Sequence, residues 1–159
     1  EWVLREACAH NEALTDVGLG PVKVAVNLSA EQFRTEGLVD MVLSVLKDTG
    51  LDPKQLELEI TETLAMRNAE ESIELCSALA AHGISLLIDD FGTGYSSLSY
   101  LKNFPVQRIK IDKAFVDDIT VEDNSGVIAR AVTTLGHSFG MEITAEGVET
   151  EDQLAFLRS

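Results

Sequence analysis

Apolar and polar residues alternate with period two over five short stretches, and three- to four-residue spacings fill the segments between them. "VKVAVNLS" (22–29), "QLELEIT" (55–61), "ISLLIDD" (84–90), "VQRIKID" (106–112) and "MEITAEG" (141–147) read as strands. Residues 1–17, 36–50, 68–83, 96–103, 123–140 and the segment after Thr150 read as helices. Gly18, Gly50 and Gly83 stop the first three, Asn68 with Glu71 forms a capping-box pattern, and Thr150 with Gln153 caps the last. Strands alternating with helices predict an α/β fold built on a parallel sheet.

The two faces of each strand narrow the choice. Val22, Val24, Val26 and Leu28 oppose Lys23, Ala25, Asn27 and Ser29, and Leu56, Leu58 and Ile60 oppose Glu57, Glu59 and Thr61. Leu86 and Ile88 oppose Ser85, Leu87 and Asp89; Ile109 and Ile111 oppose Arg108, Lys110 and Asp112. Met141, Ile143 and Ala145 oppose Glu142, Thr144 and Glu146. A doubly wound sheet is covered on both sides and needs both faces apolar. A β/α barrel is covered only outside, and its lumen tolerates polar side chains near the mouth. The expectation is therefore a modified (β/α)8 TIM-like barrel, of which this chain covers the central part.

Barrel chemistry sits at the C-terminal strand ends. The lumen-side residues there are Asn27, Glu59, Asp89, Lys110 and Glu146, with Asp90 adjacent. Two carboxylates about 4 Å apart repel by roughly 4 kcal/mol at an effective dielectric near 20, so such a group protonates or binds a cation. Carboxylate and amide oxygens suit Mg²⁺ or Mn²⁺, as one or two ions, better than zinc. On a regular strand Asp89 and Asp90 point to opposite faces. Gly92 and Gly94 are expected to supply the freedom that turns Asp90 back. Lys110 balances charge, orients a water or meets a phosphate oxygen; Glu146 binds metal or takes a proton from water. Glu57 and Glu142 lie deeper, with Lys23 and Arg108 as expected partners.

Charge sharpens this picture. The chain carries 27 acidic against 12 basic residues, a formal charge of -15. Such a surface excludes a DNA or RNA polymer as ligand, and any phosphorylated ligand needs a cation between it and the protein. His10, His82 and His137 are scattered and match no zinc spacing. Cys8 and Cys76 form no CxxC and read as apolar residues in a reduced compartment. With no long apolar run and no signal peptide, a cytoplasmic domain is expected, in a parent chain that other segments could anchor to a membrane.

"VNLSA" (26–30), "LEITET" (58–63), "IDDFGTGYSSL" (88–98), "IKIDKAFV" (109–116) and "TAEGVET" (144–150) resemble, in order and spacing, the signatures of EAL domains. These are bacterial phosphodiesterases that hydrolyse cyclic di-GMP to linear pGpG with a Mg²⁺- or Mn²⁺-activated water. The resemblance implies Asn27, Glu59, Asp89 and Asp90 as metal ligands, Lys110 at the catalytic water, and Glu146 as general base or second-metal ligand. It implies Glu149 as a supporting acid and Asp112 near the substrate. Glu62 and the loop from Phe91 through Gly92 and Gly94 to Ser97 match a region linked to metal binding, dimerisation and regulation. Calcium, which is larger and looser in geometry, is expected to inhibit. A homodimer through the loop after Asp90 and fused GGDEF or sensory domains are compatible with the resemblance.

The strand-end Glu-Ala-Leu motif that names the family is expected ahead of "EWVLREA" and the closing strand shortly after Ser159, so neither is expected within residues 1–159. Residues 1–159 are thus expected to be a partial domain, inactive alone. The competing function is a catalytically inactive EAL-type receptor or protein-interaction domain. Every matching position present here is intact, which favours catalysis. A phospho-acceptor receiver domain also has an Asp pair and a lysine, but its pair ends the first strand. Here two strands precede Asp89. "GTGYSS" lacks the spacing of a nucleotide-binding glycine loop.

Overall fold

The structure, a computed structural model, describes residues 1–94, 98–119 and 126–158. In chain order it runs α1 (Trp2–Asp16), β1 (Val24–Asn27), α2 (Ala30–Phe33), α3 (Leu38–Thr49), β2 (Leu56–Thr61), α4 (Glu62–Arg67), α5 (Ala69–Ala81) and β3 (Ser85–Phe91). It continues through α6 (Leu98–Leu101), β4 (Arg108–Ile111), α7 (Lys113–Asp117), α8 (Val127–Ser138), β5 (Glu142–Ala145) and α9 (Glu151–Arg158). The parts of the expected helices at 96–97 and 123–125 lie outside the described residues.

All five strands are parallel and lie in the order β1-β2-β3-β4-β5. A doubly wound sheet reverses direction at a switch point; this one never does. Crossovers of one hand that always step the same way leave the helices on a single face, as in a barrel wall. α1 packs on β1, α5 on β3, and α8 on β4 and β5, with α3 between α1 and α5. Leu56, Leu58, Ile60, Leu86, Ile88, Ile109 and Ile111 are fully buried beneath them.

Three short helices escape the sequence pattern: α2, α4 and α7 each follow a strand directly and have too few turns to show a period. Their signal is the cap. Ser29 forms a reciprocal capping box with Gln32, Thr61 accepts from the Leu64 N–H, and Asp112 accepts from the Ala114 N–H. The Asn68–Glu71 pattern, by contrast, makes no side-chain cap, because Asn68 itself ends α4 and is held in that turn.

Cys8 and Cys76 are both buried and unpaired. Burial pushes the Cys76 thiol up from 9.0 to about 12 and raises Cys8 as well. Only the thiolate is nucleophilic, so iodoacetamide at pH 8 should label neither cysteine in the native protein and both in urea. Rapid native labelling of Cys76 would contradict the packing. Because the folded value is the higher one, this thiol's contribution to stability is intact below pH 9 and lost as pH rises toward 12.

Candidate active site

The polar faces of the strands form two layers. In the deeper one, Arg108 Nη1 lies 3.1 Å from Glu57 Oε1 and its Nη2 lies 2.7 Å from Glu142 Oε2. Lys23, expected to share these acids, donates to Ser85 Oγ at 3.1 Å, while Arg108 first and the Lys23 charge last help to hold the Glu142 carboxyl below its ordinary range. Arg108 sits on β4, paired in register with Glu142 on its outer neighbour β5, and its fork reaches back across β3 to Glu57.

The upper layer holds the strand-end acids. Lys110 Nζ lies 3.2 Å from Glu59 Oε2, 3.2 Å from Asp89 Oδ1 and 2.5 Å from Glu146 Oε1. Glu59 comes from β2, Asp89 from β3 and Glu146 from the turn after β5, where its N–H donates to the Ile111 carbonyl at 3.1 Å. Burial works against the Lys110 charge, but hydrogen bonds to Glu146, Asp89 and Glu59 outweigh it and raise the ammonium above the ordinary lysine range. Glu59 is buried, whereas Glu146 is 39% exposed and open to solvent. Asn27 ends β1 level with Glu59 in the register and stays exposed.

Asp90 joins this layer by a route different from the expected one. The β3–β4 register shifts between Ile88 and Phe91, and Asp90 itself takes a left-handed conformation, φ 53°. The freedom lies at the aspartate, a residue type that tolerates that region. Gly92 follows at φ 101°, while Gly94 does not adopt a positive φ. The Asp90 N–H donates to Asp89 Oδ1 at 3.0 Å, and its carbonyl accepts from Thr93 Oγ1 at 2.8 Å. The bulge also returns Phe91 to the apolar face, where it is buried opposite Ile111.

Burial raises the Asp90 carboxyl, followed by the neighbouring charges of Asp89 and Asp112, a hydrogen bond with Asp112 and the charge of Glu146. Asp112 meanwhile caps α7 through the Ala114 N–H at 2.7 Å. One lysine thus serves three carboxylates, and two further acids press against each other beside it. Among the described residues no three His, Cys, Asp or Glu side chains close on a common point fit for a metal; the acids close on Lys110. The surplus of hard oxygen donors over positive charge fits a hard divalent cation.

Glu62 and Glu149 lie outside the cluster. Glu62 is 1% exposed and accepts from the Gly92 and Gly94 N–H groups at 2.7 and 3.2 Å, tying α4 to the loop after Asp90. Tyr95, Ser96 and Ser97 of that loop lie outside the described residues. Glu149 is exposed and pairs with Lys113 at 2.9 Å. Lys113, Phe115 and Gln153 were invisible as site neighbours in the sequence. The only local hint was Gln153, three residues after the capping Thr150.

The EAL domain family profile matches residues 1–159. The bifunctional diguanylate cyclase/cyclic di-GMP phosphodiesterase MucR of Pseudomonas aeruginosa is 46% identical over 157 residues, covering 99% of this chain and 23% of MucR. The solved PaMucR phosphodiesterase in complex with c-di-GMP superposes with a TM-score of 0.93 at 45% identity, covering 99% of this chain and 64% of that one. Klebsiella pneumoniae BlrP1 has been solved with cyclic di-GMP and calcium (TM-score 0.81, 32% identity, 98% of this chain and 40% of that one). It has also been solved with manganese (TM-score 0.78, 30% identity, 97% and 41%). The chain therefore spans less than a quarter of MucR and under two thirds of the solved PaMucR chain.

Proposed function

The chain belongs to the EAL domain family, and on that premise we propose that it forms the central part of a divalent-metal-dependent phosphodiesterase domain that opens cyclic di-GMP to linear pGpG. The observation that carries this reading is the convergence of Glu59, Asp89 and Glu146 on Lys110 at the C-terminal strand ends, with Asp90 turned toward them by the bulge.

Asn27, Glu59, Asp89, Asp90 and Glu146 would hold one or two Mg²⁺ or Mn²⁺ ions. The chemistry an ion supplies there is Lewis-acid polarisation of the phosphodiester and a lowered pKa for water. Lys110 keeps its proton and offers N–H groups to a phosphate oxygen or to the attacking water. Glu146 is near enough to solvent to accept a proton from that water at a carboxylate oxygen. Asp112 sits beside Asp90 at the rim, where a ribose or guanine donor would meet it. Glu62 holds the loop after Asp90 in place, and Glu149 pairs with Lys113 beside the turn that carries Glu146.

Among the described residues the sheet has open edges at β1 and β5, and Trp2, Val3, Leu14 and Val22 are exposed near β1. Further strands of the domain would close the barrel and cover them, and residues 1–159 alone would then be inactive. Homodimerisation through the loop after Asp90 and fused GGDEF or sensory modules fit the same reading. The buried free thiols support a cytoplasmic site; no described helix is long and apolar enough to cross a membrane.

In the full-length protein, Mg²⁺ or Mn²⁺ should support pGpG formation from cyclic di-GMP, followed by chromatography. Calcium should bind without supporting turnover, and Glu146→Gln should abolish turnover while leaving nucleotide binding. Tight nucleotide binding with no pGpG in any metal would make the protein a receptor instead.

A further inference from the structure

Helix α7 lies between the two loops that present the acids. On one side, the ring of Phe115 rests on the backbone at Gly92: a Cβ built there would lie 2.8 Å from Phe115 Cε2. The residue before the helix, Asp112, caps it and stands close enough to Asp90 to raise that carboxyl. On the other side, Lys113 reaches Glu149 and Asp117, both at 2.9 Å, and its stem covers Gly147, where a Cβ would come within 2.5 Å of Lys113 Cγ. Buried Gln153 closes this side. Its Oε1 accepts from the Glu149 and Thr150 N–H groups at 2.8 and 3.0 Å, and its Nε2 donates to the Val116 carbonyl at 3.2 Å.

One short helix therefore grips the bulge that holds Asp90 and the turn that holds Glu146. Both grips fall on backbone, so neither loop can shift without moving the helix or breaking buried contacts. The Lys113 ion pairs are exposed and weak by themselves. The stiffness comes from the Phe115 ring and the two-ended Gln153 amide, whose donor and acceptor are both satisfied.

We propose that α7 is a rigid bracket that sets the spacing between the Asp89–Asp90 bulge and Glu146, with Phe115 and Gln153 as positioning residues that couple the two loops. The proposal rests on reading these acids as a phosphodiesterase site. Its consequence is mechanical: a disturbance of the loop after Asp90 reaches Glu146 through α7.

The test uses the full-length protein and two readouts. In Mn²⁺, Phe115→Ala and Gln153→Met should each lower kcat by about ten- to a hundredfold with KM changed less than about twofold, while Phe115→Leu recovers part of the loss. Mn²⁺ affinity by titration calorimetry should fall in both. Amide exchange carries the coupling. Phe115→Ala should speed exchange at Glu149 and Thr150, on the other side of α7, and Gln153→Met should speed it at Gly92 and Gly94. Each change confined to its own loop would overturn the bracket. Should Phe115→Ala fail to fold, Phe115→Leu is read in its place. A wild type that makes no pGpG would defeat the phosphodiesterase reading alone, since exchange across α7 still decides the bracket.

Discussion

Replacing Lys110 with methionine is expected to cut pGpG formation roughly a hundred- to a thousandfold and, at the same time, to tighten binding of Mn²⁺. The opposite signs follow from its position. The ammonium lies within 3.2 Å of Glu59, Asp89 and Glu146 and is the one cation they share among the described residues. At an effective dielectric near 20, each contact at about 4 Å corresponds to roughly 4 kcal/mol of attraction before desolvation. Without it the acids repel one another unopposed, and a divalent ion relieves them without the proton they would otherwise take up. The variant should therefore melt earlier than wild type in EDTA and regain most of the loss in Mn²⁺. Titration calorimetry, melting curves in both buffers and pGpG chromatography together decide the matter. Weaker Mn²⁺ binding would mean that Lys110 helps to build the ion site, and undiminished turnover would remove it from the chemistry.

Arg108→Met should produce the largest loss of stability, about 3–5 kcal/mol. Arg108 is 28% exposed, whereas the Glu57 side chain it holds is only 5% exposed. Glu57 Oε2 is buried with no hydrogen-bond partner among the described residues, so the carboxylate depends on a single guanidinium. Glu142, the other partner, is 70% exposed, and water replaces what it loses. The cost therefore lies in Glu57, and a Glu57→Leu/Arg108→Met double variant should recover most of it, since an apolar pair leaves no stranded charge. Urea unfolding of wild type, both single variants and the double variant measures this directly. If Arg108→Met falls within about 1 kcal/mol of wild type, the pair behaves as a surface ion pair and the deeper layer is wetter than its burial indicates.

Both cases show where reading along the chain stops. Glu57, Glu142 and Arg108 were recognisable as deep polar residues, and so was a pairing among them. That Arg108 takes both acids while Lys23 turns to Ser85 depends on strand register, which no single segment encodes. Asp90 is similar. Its place beside Asp89 was evident, and so was the need for unusual backbone, but that need is met at Asp90 and not at Gly94. The reason is a bulge, which exists only relative to the neighbouring strand. Phe91, read as part of a loop linked to regulation, is also a core residue, since the same bulge carries its side chain to the apolar face.

The alternation of side chains along each strand is a local property of extended backbone, and it alone was enough to establish the α/β rhythm, the apolar outer face and the acids at the strand ends. What the chain's order could not contain is distance between elements. The meeting of three acids at one ammonium, the closeness of the Asp90 and Asp112 charges and the grip of α7 on two loops all arise from contacts between segments far apart in sequence. Those contacts are set by parallel register and by crossovers that bring remote backbone together, and only the folded sheet brings both into being.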